Sequence, residues 1–481
     1  MPTAVIAGGS VAGLGSALAL SRIGYRVVVL ERAPNPPRWP PAQAVPWWRR
    51  PTVPQGMHSH TLTSLGVRVL RERAPEVLGQ AAAAGARTFD LTRALPPGAT
   101  DSIRHPGDDA LVALGIRRST LELLLHRQVR ELPGATIRHD TTVDGIELHP
   151  AQARVRGVVT HTGERIPADV VVDATGRRAL SRTWLRNAGV PLADDLSSPS
   201  GLRAYSRFYR LKQGTYPTPL NRGHAVGDIY DHYAGVLHPG DDNTFSIALG
   251  TLPDDRALSG LSTAAGFTAA ARATPAIAPW LDEDISTPLS PVQVITSPPN
   301  ALWGTAGTRQ QPVAGLFPVG DAACITNPLF GRGMSLALAH AFRLADLLAA
   351  QPAVDVAQRR AVARMTEEMF LPWYTQSAAS DRARIARWRS AADGTPLPSK
   401  TPSGTGRPTT EDIAAAAHRD GTVWRGLMRM LMTLATPAEA FADDAFLARV
   451  RQAAPASLNR PRQPDRDELV HHVLEAEGAP L

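Results

Sequence analysis

Ala4-Val5-Ile6-Ala7 runs straight into Gly8-Gly9-Ser10-Val11-Ala12-Gly13, an apolar segment continues through Leu20, and a second run, Val27-Val28-Val29-Leu30, ends on Glu31. Short β-branched runs bounded by glycine read as buried strands, and the segment between them reads as a helix. The stretch is therefore a βαβ unit. Its turn has to be tight enough for backbone N–H groups to reach a pyrophosphate seated on the positive end of the helix dipole. A carboxylate about 20 residues further on accepts bonds from a ribose hydroxyl, and Glu31 stands at that place. Gly8, Ser10 and Gly13 occupy the three fingerprint positions. Serine in the middle is small enough to permit close backbone approach. A bare glycine pattern is often only a turn, but here strand, helix, strand and acid fall in register, which points to a dinucleotide site.

The 481 residues allow up to three domains at ~150 residues each, and 43% hydrophobic residues supply a large core. The net charge of +7 raises the question of nucleic acid. The cations argue against it: Lys212 and Lys400 are the only lysines, and the arginines are dispersed among alanine and proline. A basic surface set by codon usage is the plainer account. A single cysteine, Cys324, excludes an internal disulfide and any multi-cysteine metal site, as in a reducing compartment. No run of 18 apolar residues is present, so no spanning helix is expected, and the segment from Ala12 to Leu20 lacks the basic flank of a signal peptide. A cytoplasmic enzyme is the expectation.

Beyond Glu31, residues 34–54 hold Trp39, Trp47 and Trp48 among prolines, which forbids a regular helix and predicts a surface excursion or flap. His58 and His60 follow in Val53-Pro54-Gln55-Gly56-Met57-His58-Ser59-His60, before a helical pattern through Arg73. Without partner ligands nearby, polar contacts near a cofactor suit them better than a metal. A strand at Leu111–Ile116 precedes a helix beginning near Arg118, with Ser119 or Thr120 as its N-cap. Arg118 is placed either to reach a phosphate or to meet a surface acid. From Thr136 to Val172 alternation predicts an antiparallel meander with a turn at Gly145, ending in Val170-Val171-Val172-Asp173-Ala174-Thr175-Gly176. Asp173 is read either as a turn cap or as a cofactor contact. Between Leu202 and Val294, the segments Ala204–Leu211, Ala225–Leu237 and Thr244–Leu252 predict a sheet carrying Tyr205, Phe208, Tyr209, Tyr230, Tyr233 and Phe245. About half of these aromatics are expected in the sheet core, the remainder walling a pocket.

A second motif is Gly315-Leu316-Phe317-Pro318-Val319-Gly320-Asp321-Ala322-Ala323-Cys324, followed by Asn327-Pro328-Leu329-Phe330-Gly331-Arg332-Gly333-Met334-Ser335 and a long helix to Ala350. Glycines before a helix leave N–H groups free for an anionic or carbonyl-bearing group. Cys324 reads as a packed thiol rather than a nucleophile. Arg359–Ser390 is helical with a kink or restart at Pro372, residues 393–408 are linker-like, and Glu411–Arg419 and Thr422–Ala435 are helical. The second of these carries a stripe of Leu427, Met430, Leu431 and Leu434 that should pack on the parent domain, whereas the last twenty residues should fray.

Together the three motifs resemble the flavoprotein monooxygenases of the para-hydroxybenzoate hydroxylase type. Within that family the stretches from Val53 to His60 and from Gly320 to Met334 are most similar to bacterial polyketide epoxidases, the polyether type included. The resemblance implies an α/β fold: a Rossmann-like FAD-binding domain (residues 1–200 and 295–392, with the 34–54 flap) interleaved with a mixed β-sheet substrate domain (201–294), then a linker and C-terminal helices (393–481). It implies FAD as cofactor, with NAD(P)H as reductant directly or through a separate flavin reductase. One oxygen atom would pass from a flavin C4a-hydroperoxide to an alkene or an aromatic ring of a hydrophobic substrate, of the kind found in secondary metabolism and antibiotic biosynthesis.

By the same resemblance Gly8, Ser10 and Gly13 face the pyrophosphate and Glu31 the ribose, with Arg32 beside it. Arg118 reaches the phosphate or ribityl region, and Val143 lies by the adenine. Asp173 and Gly176 contact FAD and NAD(P)H, and Asp321 binds the ribityl chain or pyrophosphate. Pro328, Gly331 and Gly333 border the isoalloxazine, and Arg50 is a weaker candidate. The flavin carries the chemistry, so no side chain is assigned as catalytic and none as a metal ligand.

Three other classes compete. A flavin-dependent halogenase needs an active-site lysine in its N-terminal half, and none precedes Lys212. A flavin reductase of prenyl-type double bonds differs in its behaviour toward oxygen. A binding module kept on the same fold would turn over no NAD(P)H.

Overall fold

The computed structural model describes residues 1–44, 48, 50–396, 408–453 and 463–478. Trp47, Lys400 and most of the expected linker lie outside them. The opening unit forms as its pattern dictates: β1 (Thr3–Ala7), α1 (Val11–Arg22) and β2 (Arg26–Leu30), the strands pairing in parallel with Thr3 opposite Arg26. α2 (Arg118–Glu131) leads to β3 (Ala135–Arg138) on the outer side of β2, and β4 (Val170–Asp173) lies on the other side of β1. The strand Leu316–Pro318, far along the chain, joins next to β4 to complete a five-stranded parallel sheet.

Two local expectations are corrected here. The stretch from Thr136 to Val172 is not one meander: its first and last strands belong to the parallel sheet. Only Val143–Leu148, Val155–Thr160 and Arg165–Pro167 form an antiparallel trio. Gly145 is a register shift inside a strand rather than a turn. Nor is α2 capped by Ser119 or Thr120; the cap position is Arg117. Asp241, from a distant loop, accepts the Arg117 backbone N–H at 2.7 Å and the Thr120 hydroxyl at 2.8 Å. A remote carboxylate thus satisfies the helix start, which local sequence cannot reveal.

The second sheet is antiparallel: β5 (Arg203–Leu211), β6 (Val226–Ile229), β7 (Ala234–Pro239) and β8 (Thr244–Thr251), in the order β6-β7-β8-β5, extended by Ser286–Pro288 and Gln293–Thr296 against β5. The expected single segment Ala225–Leu237 is in fact the β6–β7 hairpin. One face carries Tyr205, Tyr209, Tyr230, Tyr233 and Phe245, all buried with Trp280 and Phe267. None of the six aromatics singled out from sequence lines the main cavity. Strand side chains alternate, and the opposite face presents Ala204, Ser206, Val236, His238 and Ala248 to that cavity.

α3 (Gly333–Ala350) packs between α1 and the helix Ser64–Arg73. By length and composition it is apolar enough to cross a membrane, contrary to the sequence reading, but burial among other helices accounts for its apolar faces. α4 (Val356–Asp393) is one helix with Pro372 inside it, so of the expected kink or restart the restart does not occur. The stripe on α5 (Gly421–Leu431) packs on the main core through Leu427, Met430 and Leu431. Among the described residues of the stretch expected to fray, 463–478, most are helical and packed rather than frayed. α6 (Arg466–Gly478) buries Leu469 and Val473 in the aromatic core, and Arg466 pairs with Asp255 at 2.8 Å.

Candidate active site

The C-terminal ends of β1, β2, β4 and Leu316–Pro318 open on one cavity of about 610 Å³, where ligands sit in open parallel sheets. The start of α3 forms another side and the antiparallel sheet faces it. The volume falls in the usual range for ligand sites, ~300–1,000 Å³.

The β1–α1 turn is held by contact between backbones. Gly8 has φ +109°, and a Cβ there would stand 2.4 Å from the Ala174 carbonyl oxygen. A Cβ on Gly13 would stand 1.8 Å from the Gly8 oxygen. Only glycine fits either place, and the turn so formed points the free first-turn N–H groups of α1 at the cavity. Glu31 is aimed by two backbone donors, Gly9 N–H at 2.7 Å and Ala33 N–H at 2.8 Å, and by Arg50 at 2.7 Å. Arg32 reaches the Thr52 carbonyl at 3.1 Å and also lines the cavity. Arg118 donates to the Ser10 hydroxyl at 2.9 Å and to Glu122 at 2.8 Å, so the acid it meets is buried rather than on the surface. Burial alone would raise the Glu122 carboxyl, but Arg118, Arg50 and the hydrogen bonds from Ser10 and Arg118 outweigh it and hold the group below its ordinary range.

Val143 and Gly176 line the cavity, the latter at φ +67°. Asp173 does not. It is fully buried and accepts Thr175 N–H at 2.9 Å, the Thr175 hydroxyl at 2.6 Å and Ser181 N–H at 2.7 Å, which is the turn-cap alternative. Gly13 also stays off the cavity surface and acts through packing. Asp321, Pro328, Gly331 and Gly333 all border the cavity. Burial pushes the Asp321 carboxyl up, against the pull of Arg118 and Arg177.

Three features match an anionic dinucleotide. The turn has no room for a Cβ, so backbone amides can approach a ligand closely. Arg32, Arg50, Arg118, Arg177 and Arg178 face the cavity against the carboxylates Glu31 and Asp321. Arg332, buried between the rings of Phe330 at 4.5 Å and Trp373 at 4.6 Å, has no partner for Nε, Nη1 or Nη2 among the described residues. Burial pushes its guanidinium down to about 9. An unpaired buried cation destabilises the protein until an anion meets it.

Sequence reasoning undervalued Arg50 and missed Arg332, Glu122 and the polar sheet wall of His224 and His238. Arg50 sits in a proline-rich stretch without periodicity, and Glu122, with Ser119 or Thr120 as N-cap, reads as an ordinary first-turn acid. Arg332 stood within a quoted motif, where its isolation from any acid in sequence was the available signal.

Two outcomes are expected. Arg50→Met leaves Glu31 and Glu122 without their shared cation, and should cost about 3 kcal/mol, seen as a lower thermal midpoint. Arg332→Met should stabilise the FAD-free protein. Two cation–π contacts worth ~1 kcal/mol each are lost, against a relieved desolvation of several kcal/mol. A denaturant midpoint below wild type would refute the second expectation.

No family model matches the chain. Protein Rv3254 of Mycobacterium tuberculosis is 27% identical over 378 residues, covering 72% of this chain and 73% of that protein. Among solved structures, p-nitrophenol 4-monooxygenase PnpA from Pseudomonas putida is 18% identical at a TM-score of 0.57, covering 91% of this chain and 100% of that one. The anhydrotetracycline hydroxylase OxyS from Streptomyces rimosus is 17% identical at a TM-score of 0.56, covering 90% and 76%. PqsL from Pseudomonas aeruginosa, in complex with 2-aminobenzoylacetate, is 17% identical at 0.58, covering 82% and 100%. The likeness establishes the fold, that of FAD-dependent monooxygenases. A flavin-dependent brominase shares it at a TM-score of 0.57, so fold alone does not choose the reaction.

Proposed function

We propose that the chain is an FAD-dependent monooxygenase that places one oxygen atom of dioxygen on a hydrophobic substrate. The observation that carries this reading is the meeting of both glycine-bearing loops, Gly8–Gly13 and Gly320–Gly333, at one cavity whose far wall is a separate sheet. Residues 1–200 and 295–392 would hold the cofactor and 201–294 the substrate.

FAD, when bound, supplies the activation of dioxygen. The amides of Val11 and Ala12, with Arg118, hold the pyrophosphate, and Glu31 holds the ribose. The α3 start would orient the flavin ring, with Gly331 bordering it and the first-turn N–H of Gly333 favouring negative charge, the Gly331 N–H being taken by the Pro328 carbonyl at 2.9 Å. The apolar wall of Ala204, Val236 and Ala248 excludes water from the reacting centre. NAD(P)H as reductant, a polyketide-like substrate and epoxidation or hydroxylation as the reaction follow from the resemblance, a cytoplasmic setting from the cysteine usage, and all belong to the same proposal.

The test is to reduce the protein-bound FAD without oxygen and mix it with isotopically labelled dioxygen and a panel of polyenes and aromatic polyketides. Label in an organic product supports the reading. Quantitative recovery of the label as hydrogen peroxide with every substrate, together with saturation of a prenyl double bond by the reduced flavin in a separate incubation without oxygen, would replace it by the reductase.

A further inference from the structure

The sheet wall of the cavity is apolar along β5, β7 and β8 but ends in a rim of histidine and serine. His58 Nδ1 lies 3.0 Å from the Ser206 hydroxyl. The Ser59 hydroxyl lies 3.1 Å from His238 Nδ1 and 2.8 Å from the Ser246 hydroxyl. His224 Nδ1 lies 3.1 Å from the Arg222 carbonyl oxygen. A carbonyl only accepts, so Nδ1 of His224 carries the proton and Nε2 of the neutral ring carries a lone pair. Nε2 has no partner among the described residues, although His224 is buried and lines the cavity. The rings of His224 and His238 stand 5.9 Å apart and share that rim. No group of three or more His, Cys, Asp or Glu among the described residues is arranged to hold a metal ion.

A wholly hydrocarbon ligand filling the cavity would strip this cavity-facing acceptor of solvent and supply no donor in its place, a desolvation penalty that a donor-bearing ligand avoids. We infer that His224 determines specificity by accepting a hydrogen bond through Nε2 from a hydroxyl or N–H group of an otherwise hydrophobic substrate. The inference rests on the cavity being the monooxygenase site. It narrows the substrate class: a bare polyene is a poor occupant, and a hydrophobe with one donor group at its sheet-side end is a good one. The charged and titratable groups facing His224 are Arg222 from its own loop and His238 across the β6–β7 hairpin, with His60 beside His238. Burial, joined by the Arg222 charge, holds His224 down to about 4 against the pull of its hydrogen bond to the Arg222 carbonyl. His224 therefore accepts without taking the proton, and the preference it creates is flat from pH 8 to pH 6.

The test uses the oxidised holoenzyme and a matched pair of probes, 2-naphthol and naphthalene, titrated against the flavin absorbance spectrum. Wild type should bind 2-naphthol at least about tenfold more tightly. His224→Leu should abolish that difference without weakening naphthalene, and His224→Gln, whose amide oxygen accepts, should restore part of it. Equal binding of the probes by wild type, no binding of either, or a preference surviving in His224→Leu each overturns the inference. FAD retention is read in the same samples. Loss of FAD from wild type defeats the parent reading, whereas retained FAD without a preference defeats only this one.

Discussion

Gly13→Ala should purify without FAD, with an affinity for added FAD at least about 100-fold below wild type, ~2.7 kcal/mol. The added methyl would stand 1.8 Å from the Gly8 carbonyl oxygen and 3.3 Å from the Ala174 Cβ. Both the methyl and the Gly8 oxygen are fixed to main chain, so no rotamer relieves the overlap. The turn must open by more than about 1 Å, an overpacking cost usually put at ~1–3 kcal/mol even where side chains can yield. Opening it moves the first-turn amides of α1 away from the pyrophosphate they are proposed to hold. The matched control is Gly333→Ala, where a new Cβ meets nothing within 4 Å and the backbone is ordinary. Alanine propagates a helix better than glycine by up to ~1 kcal/mol, so the FAD-free protein should unfold no earlier than wild type. If the flavin ring borders Gly333 as proposed, this variant weakens FAD while leaving the fold intact. Isothermal titration with FAD and thermal melts of both apoproteins separate the cases. Wild-type affinity in Gly13→Ala would remove the turn from the binding site.

What the sequence disclosed follows from which signals are local. The βαβ unit was legible because its strands, turn and acid all lie within 31 residues, and each has a pattern of its own. The Gly320–Gly333 loop was legible for the same reason. Asp241 capping α2 from 124 residues away was not, since no local pattern marks a remote cap. The aromatics of the second sheet show the limit most directly. Period-two alternation correctly places Tyr205 and Tyr209 on one face and Ala204 and Ser206 on the other. It cannot say which face the cavity takes. That was decided by the helix Ala264–Ala273 and by α6, which cover the aromatic face. α6 comes from the tail expected to fray. Asp173 likewise had two readings with equal local support, and the Ser181 N–H that it accepts lies eight residues on, around a turn.

The largest environmental effect should be acid. His58, His126, His224, His232 and His340 are all at most 8% exposed, and burial is the leading cause holding each down, to about 4 for His58, His224 and His232 and about 3 for His126 and His340. An unfolded histidine takes its proton near pH 6.5, whereas these folded ones refuse it. Between pH 6.5 and about 4 the unfolded state therefore binds more protons, and stability falls as the pH falls. Above pH 6.5 both states are neutral and the histidines leave stability unchanged. Each should cost about 2 kcal/mol by pH 5, and the five together on the order of 10 kcal/mol, similar to the whole stability of a typical domain. Glu122 adds nothing in this window, because a carboxyl held low loses its contribution only below about pH 4.5. The expected result is cooperative loss of ellipticity and of native tryptophan emission between pH 6 and pH 5, above the carboxylate range. His340 links this transition to the site: its Nδ1 accepts the Gly320 N–H at 3.3 Å and its Nε2 meets the Thr366 hydroxyl at 3.1 Å. Protonating Nδ1 breaks the bond to the Gly320–Asp321 turn, so FAD release should precede or accompany unfolding. His340→Gln should flatten the pH dependence of the denaturant midpoint by up to about 1.4 kcal/mol per pH unit. A wild-type fold unchanged down to pH 4 would show that these rings are accessible to protons in the native state.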